Sequence, residues 1–301
     1  MRNPEFSGSR SPEVLKVGEQ LLNVVVDHAV FRRIRDAALD LVHSMRVLKS
    51  PCGILIQADS GMGKTLLLEL IQRELQANAL SDRHETCLRI GLDSAVDTRA
   101  MAESVMLALG YPSAPSRPNL VAMNHLVKVG FEKRKPWALL IDEMQHVCEG
   151  NKDITARAVT DWLKVRMDAF NTPVICAGTH VLERLPVINP QFTSRASIGF
   201  VIYPFAFDDA WRQLLAAFTQ TMSGTVDLSV INTVACRPLH AATGGNMRAL
   251  KRVLAFACMH AATQEKRVVT MESLAIAFVD AKGQVAEQSN PFKVPRREVS
   301  K

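Results

Sequence analysis

A short segment with two glycines and a Lys-Thr pair lies between an apolar run and a helical pattern. The glycines allow the backbone to curl so that successive N–H groups point at one anion, such as a phosphate. The lysine adds a point charge for the β- and γ-phosphates, and the threonine hydroxyl is a ligand for Mg²⁺. The pattern G-x-x-x-x-G-K-[ST] is matched except at its first position, where Ala58 replaces glycine. The phosphate-binding residues are predicted to be Ser60, Gly61, Met62, Gly63, Lys64 and Thr65.

Two carboxylates, Asp142 and Glu143, end a second apolar run that starts at Pro136. After a buried strand, the first acid would hold Mg²⁺ and the second would polarise the attacking water, because hydrolysis of a γ-phosphate needs a positioned nucleophile. Both acids also suit the start of the next helix, where carboxylates are favourable. Their place downstream of the glycine segment, at a spacing that fits a βαβ unit, favours the nucleotide-site interpretation.

Three further polar residues are candidates for the same site, and each has a structural alternative. Thr179 follows an apolar run and is predicted to contact the γ-phosphate or the attacking water, or only to cap the next helix. Arg195 is predicted to enter the site of a neighbouring subunit and stabilise transition-state charge, or to form a surface salt bridge. Arg248 is predicted to face the phosphates. Its alternative is an exposed first-turn arginine, although a cation is poorly placed at a helix N-terminus.

Strand and helix patterns alternate around these residues. Such alternation predicts a parallel sheet covered by helices on both faces, which is an α/β architecture. The predicted strands cover residues 53–58, 86–92, 137–142, 173–178 and 199–204.

After Pro204 only helical patterns follow, so we expect a second, all-helical domain. Its predicted helices cover residues 208–222, 228–243, 246–263 and 271–281. The predicted division is a disordered N-terminus at 1–11, an α/β nucleotide-binding domain with a helical lead-in at 12–205, a helical lid domain at 206–283, and a basic flexible tail at 284–301.

The composition is that of a globular protein, with 301 residues, 48% hydrophobic residues and a net charge of +6. The charge permits a polyanionic partner. No apolar run is long enough to span a membrane, and the first residues lack a signal core, so we expect cytoplasmic residence and no membrane partner. The six cysteines show no C-x-x-C pair and are predicted to be buried thiols, with neither disulfides nor zinc.

Together these motifs resemble those of the AAA+ ATPases over about residues 25–283. The motifs at 58–65, 137–143, 178–179, 191–195 and 244–248 stand in the order of that family. Within AAA+, the chain looks most like the TniB/TnsC group of transposition regulators, which are related to the phage MuB ATPase. The narrower resemblance is carried by the short helical lead-in, Leu-Ile-Asp-Glu-Met-Gln-His at 140–146, Ala-Gly-Thr-His at 177–180, and Gln-Phe-Thr-Ser-Arg at 191–195 followed by a strand.

The resemblance implies a P-loop AAA+ fold with a small helical lid, and an ATPase that uses ATP and Mg²⁺. It further implies ATP-dependent assembly as a ring or helical filament on double-stranded DNA. That assembly would mark a target and recruit a DDE transposase, with a TniQ-type adaptor as a second partner, and hydrolysis would drive disassembly. DNA phosphates would be gripped without sequence preference. The implied DNA contacts are Arg99, Ser113, Ser116 and Arg117.

Two other functions stay open at this point. A nucleotide-gated scaffold, such as a signalling or secretion ATPase, would form ATP-dependent oligomers that ignore polyanions. A P-loop kinase of small molecules is disfavoured by the separate helical domain and the candidate arginine finger. Addition of duplex DNA to the protein in ATP would separate the first of these from a DNA-binding ATPase.

Overall fold

The computed structural model describes residues 10–78, 87–93, 96–112, 119–149 and 153–293. The chain divides into two compact units. One contains residues 29–203 and is called the α/β unit. The other combines the segment before residue 29 with the segment from residue 204 onward, and is called the helical unit.

A parallel sheet of five strands forms the centre of the α/β unit among the described residues. Its order is β2-β3-β4-β1-β5. The strands β3 and β4 are buried along their whole length, which explains why their sequences are apolar runs without alternation. The predicted strands are confirmed with shifted ends. They are β1 (Gly53–Ala58), β2 (Leu88–Gly91), β3 (Leu139–Asp142), β4 (Val174–Gly178) and β5 (Ile198–Ile202).

Helices flank the sheet and build the helical unit. In chain order they are α1 (Pro12–Leu22), α2 (Ala29–Leu48), α3 (Lys64–Asn78), α4 (Thr98–Ala108), α5 (Leu120–Arg134), α6 (Gln145–Cys148), α7 (Asp153–Phe170), α8 (Leu185–Ile188), α9 (Pro190–Arg195), α10 (Asp209–Met222), α11 (Cys236–Thr243), α12 (Met247–Ala262) and α13 (Met271–Lys282). No helix in the described ranges has the length and apolarity needed to cross a lipid bilayer.

Side-chain caps set several helix starts where the sequence predicts them. The carboxylate of Asp208 accepts hydrogen bonds from the N–H groups of Ala210 and Trp211, at 2.9 and 3.2 Å, and so starts α10. Thr270 starts α13 through a reciprocal pair of bonds with Ser273. Such caps satisfy N–H groups that the first helical turn leaves without partners.

The predicted helix over 228–243 is divided in the structure. A short 3₁₀ segment covers Ser229–Asn232, and α11 begins only at Cys236. Pro238 lies in the first turn of α11, where a residue without an N–H group is tolerated, whereas inside a longer helix it would break the hydrogen-bond ladder.

The first helix groups with the helical unit and not, as predicted, with the α/β domain. Leu21 of α1 is fully buried in the same apolar cluster as Trp211. Gly18 faces α12 so closely that an added Cβ would lie 2.8 Å from the sulfur of Met259. The 3–4 residue spacing of the apolar side chains on α1 is equally compatible with either neighbour, so the sequence alone does not choose the partner.

The predicted chain ends also differ from the structure. Residues 284–289 form a 3₁₀ turn, and beyond it the Phe292 ring is 3% exposed and stands 6.0 Å from the Phe278 ring. The tail predicted to be flexible is therefore anchored at Asn290 and Phe292, which are buried, while most of residues 284–289 are exposed. Most of the predicted disordered N-terminus, residues 1–9, and the last residues, 294–301, lie outside the described ranges.

The pair Gly244 and Gly245, which connects α11 to α12, allows a matched test of packing in the helical unit. Both residues have positive φ, +58° and +72°. An added Cβ meets nothing within 4 Å at Gly244, but at Gly245 it would lie 2.0 Å from the carbonyl oxygen of Phe205. Both alanine substitutions cost about 1 kcal/mol of backbone strain, and only the second forces the backbone apart.

We therefore expect Gly245→Ala to lower Tm by roughly 4–8 °C more than Gly244→Ala, on the scale of about 2–4 °C for each kcal/mol. Thermal unfolding followed by circular dichroism measures the difference. Equal Tm values for the two variants would contradict the close approach of residue 205 to this turn.

Candidate nucleotide-binding site

The central strands place the predicted polar residues at one edge of the sheet. Because β3, β4 and β1 are parallel neighbours, their carboxyl ends meet at that edge. Gln57 of β1 pairs with Gly178 of β4, and Ile141 of β3 pairs with Cys176. The glycine loop follows β1, Thr179 follows β4, and Asp142 ends β3 with Glu143 next to it, so the structure places all three at one edge with Thr179 in the middle.

The loop after β1 has the curled backbone that its glycines predict. Gly61 and Gly63 have φ values of +85° and +87°, in the region that side chains other than glycine rarely adopt. Met62 between them is 2% exposed and anchors the loop in the core. An added Cβ at Gly63 would lie 2.8 Å from Cζ of Phe31 on α2. The loop therefore has no room for a side chain at its last glycine.

Lys64 and Thr65 are the first residues of α3. Lys64 is 6% exposed, and its Nζ donates hydrogen bonds to the carbonyl oxygens of Ala58 and Asp59, at 2.8 and 3.2 Å. The ammonium group is thus held at the loop, next to N–H groups at the positive end of a 15-residue helix. Thr65 is exposed, so its hydroxyl is accessible to a ligand.

The acids at the end of β3 do not cap the next helix. Helix α6 begins at Gln145, and its first turn has no side-chain capping bond. The buried Asp142 instead accepts a hydrogen bond at Oδ1 from the N–H of Glu143, at 2.9 Å. Glu143 has a φ of +55°, a conformation that costs a residue other than glycine about 1–2 kcal/mol. Such strain collects at functional sites.

Thr179 does not cap the helix that follows it either. Its side chain makes no capping bond to the 3₁₀ turn His180–Arg184. The Oγ1 atom is buried and has no hydrogen-bond partner among the described residues, which is costly for a hydroxyl group. Its backbone N–H donates to Oε1 of Gln145 at 3.2 Å, while Nε2 of Gln145 donates to Oε2 of Glu143. The site thus contains a buried hydroxyl group that a ligand can satisfy.

Gln145 was not among the predicted site residues, but it is 4% exposed and contacts both Glu143 and Thr179. Its signals in the sequence are its place in the motif at 140–146 and its position two residues after the second acid. A glutamine at such a position is ordinary on a helix surface, and its burial follows only from the pairing of β3 with β4.

The two candidate arginines lie on two different helices, α9 and α12. Arg195 ends α9 and forms an ion pair with Asp168 of α7, with Nε and Oδ1 3.3 Å apart. Both side chains are nearly half exposed, so the pair contributes at most about 1 kcal/mol. Arg248 is exposed in the first turn of α12, in the helical unit. Its predicted role at the phosphates stays a prediction.

Of the predicted DNA contacts, the structure describes only Arg99. It lies in the first turn of α4, whose start is capped by Asp97. Ser113, Ser116 and Arg117 lie outside the described residues.

Burial makes four of the six free cysteines unreactive. It raises the pKa of Cys148 to about 11 and the pKa of Cys258 to about 12, and it raises the pKa values of Cys87 and Cys176 further. Thiols with such pKa values stay protonated at neutral pH and are poor nucleophiles and metal ligands.

The residues at this edge fit a nucleoside triphosphate with Mg²⁺. The curled loop and Lys64 suit the phosphate chain, the hydroxyl of Thr65 and the carboxylate of Asp142 are oxygen ligands of the kind that Mg²⁺ prefers, and the unpaired hydroxyl of Thr179 offers a donor to a phosphate oxygen. Glu143 supplies a carboxylate that can accept a proton from water.

Comparison with known proteins identifies the family. The model of the family "TniB: Bacterial TniB protein" matches residues 22–200, which is more than half of the chain. The chain belongs to the TniB family. No curated protein matches the TniB-family chain in sequence.

Solved structures show that this TniB-family chain has the AAA+ fold. The Aeropyrum pernix ORC2 protein, with ADPNP and ADP, has a TM-score of 0.68 at 12% identity, over 89% of this chain and 72% of that one. The Aeropyrum pernix ORC1 protein in complex with DNA has a TM-score of 0.65 at 18% identity, over 87% and 69%. Domain III of the Thermotoga maritima replication initiation protein DnaA has a TM-score of 0.57 at 15% identity, over 91% and 99%. The predicted α/β P-loop AAA+ fold is confirmed.

Gly63→Ala should reduce nucleotide affinity, because the new Cβ demands a strained φ and meets the buried ring of Phe31. We expect at least a tenfold rise in Kd for a fluorescent ATP analogue. The matched control is Gly199→Ala, since Gly199 is exposed and an added Cβ meets nothing within 4 Å. Equal affinities of the two variants would contradict the loop as the phosphate-binding element.

Proposed function

We propose that this protein is an ATPase whose nucleotide state controls its assembly on double-stranded DNA. The observation that carries the proposal is the meeting of Lys64, Asp142, Glu143 and Thr179 at the carboxyl edge of three neighbouring strands. The solved relatives with ADPNP and ADP support a nucleotide as the ligand.

Each residue at this edge has a separate role in ATP hydrolysis. The loop N–H groups and Lys64 bind the β- and γ-phosphates, and Thr65 and Asp142 are the ligands for Mg²⁺, which neutralises charge on the phosphates when bound. Glu143 orients the attacking water and accepts its proton. Thr179 donates its hydroxyl to the γ-phosphate or the water, so its partner differs before and after hydrolysis. Arg248 is a further contact to the phosphates.

Arg195 acts across a subunit boundary, where it stabilises charge in the transition state. Its end position on α9 and its exposed ion pair with Asp168 support this role, because a surface pair of this kind exchanges partners at low cost. The active form is therefore an oligomer, a ring or a helical filament, in which each site is completed by its neighbour.

Duplex DNA is the proposed polymer on which the subunits assemble. Membership of the TniB family, the relative solved in complex with DNA and the net charge of +6 support this part of the proposal. The contacts go to phosphates and include Arg99, together with Ser113, Ser116 and Arg117. The assembly acts in the cytoplasm, marks a target site and recruits a DDE transposase. A TniQ-type adaptor selects the site, and hydrolysis releases the assembly.

Two substitutions separate nucleotide binding from hydrolysis. We expect Lys64→Ala to abolish both ATP binding and DNA-dependent sedimentation. We expect Glu143→Gln to bind ATP, to lower kcat by about 100-fold or more, and to keep the assembly on DNA. Sedimentation and ATPase assays with and without duplex, at two salt concentrations, measure these effects.

Wild-type oligomers that form in ATP and ignore both DNA and salt would replace the proposal with a nucleotide-gated scaffold that has no DNA role. Equal loss of binding and hydrolysis in Glu143→Gln would contradict the role of that carboxylate.

Mixing experiments test whether Arg195 acts in trans. Arg195→Ala should hydrolyse ATP at least tenfold more slowly in the oligomer. Adding Lys64→Ala protein should restore part of the activity, because its intact Arg195 completes the nucleotide site of the first variant. Asp168→Asn is the control, since it breaks the same ion pair and leaves the arginine in place. A loss of activity in Asp168→Asn equal to that in Arg195→Ala would assign the effect to the surface pair.

A further inference from the structure

The side chain of Gln145 connects the ends of two neighbouring strands. Its Oε1 accepts from the N–H of Thr179 at 3.2 Å, and its Nε2 donates to Oε2 of Glu143. A glutamine has one acceptor and two donors on a single planar group, so a single side chain can serve an N–H group and a carboxylate together. Since Gln145 is only 4% exposed, water does not compete for these bonds.

We propose that Gln145 is the positioning residue for Glu143, and that it transmits the state of Thr179 to that carboxylate. The inference rests on the proposed ATP hydrolysis. Glu143 has a long side chain that can adopt many orientations, and a buried donor fixed at one carboxylate oxygen restricts them. The other oxygen stays available to accept a proton from water, which is what a general base requires.

The link to Thr179 gives the same amide a second task. The Oγ1 atom of Thr179 is buried and has no partner among the described residues, so a phosphate oxygen that reaches it gains a strong contact. Any shift of residue 179 that accompanies this contact moves its N–H group and, with it, the amide of Gln145. Glu143 is thereby aligned when the γ-phosphate is present and released when it is lost.

Because Gly178 has no side chain, the side-chain amide of Gln145 can lie against it. An added Cβ at this position would lie 2.9 Å from Oε1 of Gln145, 3.0 Å from its backbone nitrogen and 3.0 Å from Cδ1 of Leu182. Its φ is not in the left-handed region, so backbone strain does not explain the glycine. Gly178→Ala therefore crowds the amide, and also Leu182, while it keeps Gln145 itself, which gives a second way to test the contact.

The experiment compares steady-state ATPase kinetics of the full chain on duplex DNA. We expect Gln145→Met, which keeps the length and loses both bonds, to lower kcat by about 10- to 100-fold. The KM for ATP and the Kd of a fluorescent ATP analogue should change less than threefold. Gln145→Glu keeps the acceptor for residue 179 but faces Glu143 with a like charge, so its kcat should fall at least as far.

Gln72→Met is the matched control, because Nε2 of Gln72 donates to the carbonyl of Cys87 between α3 and β2, away from this edge. Its kcat should equal that of the wild type. A double-mutant cycle gives the second readout. Gly178→Ala should lower kcat alone and add little to Gln145→Met, because both remove the same contact. If Gln145→Met does not fold, Gln145→Glu and Gly178→Ala carry the test.

The outcomes separate this inference from the proposed function. A wild-type protein that binds or hydrolyses no ATP overturns the proposed function and the inference with it. An active wild type whose kcat is unchanged or higher in Gln145→Met overturns only the positioning role. If the Tm and the nucleotide affinity of Gln145→Met fall together with its kcat, Gln145 has a structural role. If the kcat losses of Gly178→Ala and Gln145→Met add in the double variant, the two changes do not remove the same contact.

Discussion

The parallel pairing of β1, β4 and β3 is the constraint on which the rest of the site depends. Parallel strands in register end at one edge, so the residues that follow them are brought together whatever their distance in sequence. The pairing itself is held by apolar side chains buried on both faces of the sheet, such as Ile56, Leu140 and Ile175. The geometry of the polar groups is therefore set by a core that contains none of them.

Stability and function are divided between the core and this edge. The edge contains two features that cost free energy: the positive φ of Glu143 and the unpaired hydroxyl of Thr179. Each is unfavourable in isolation by about 1–3 kcal/mol. They persist because the packed sheet fixes the positions of the residues that follow its strands.

The two hydrogen bonds of Gln145 link residues that follow two neighbouring strands. A loop that only binds phosphate needs no contact with the residues that activate water. Here one buried amide connects Glu143, which follows β3, to Thr179, which follows β4. Because the amide is buried and both of its ends are used, it cannot move at one end without changing the other.

The amino-acid sequence by itself determined the local parts of this protein. Gly61, Gly63 and Lys64 specify the loop through backbone freedom and charge, and apolar runs specify the buried strands, because these preferences act within a few residues. For the same reason the caps at Asp208 and Thr270 were predictable.

Only the tertiary structure decided which parts meet. The amphipathic α1 suits several partners, and its place with Trp211 follows from packing between segments far apart in the chain. Likewise Phe292 anchors a segment whose composition predicts a loose tail, and Gln145 becomes buried between the residues that follow β3 and β4. Whether a residue is buried depends on the segments that pack around it, so the pattern of residue types within one segment does not predict it.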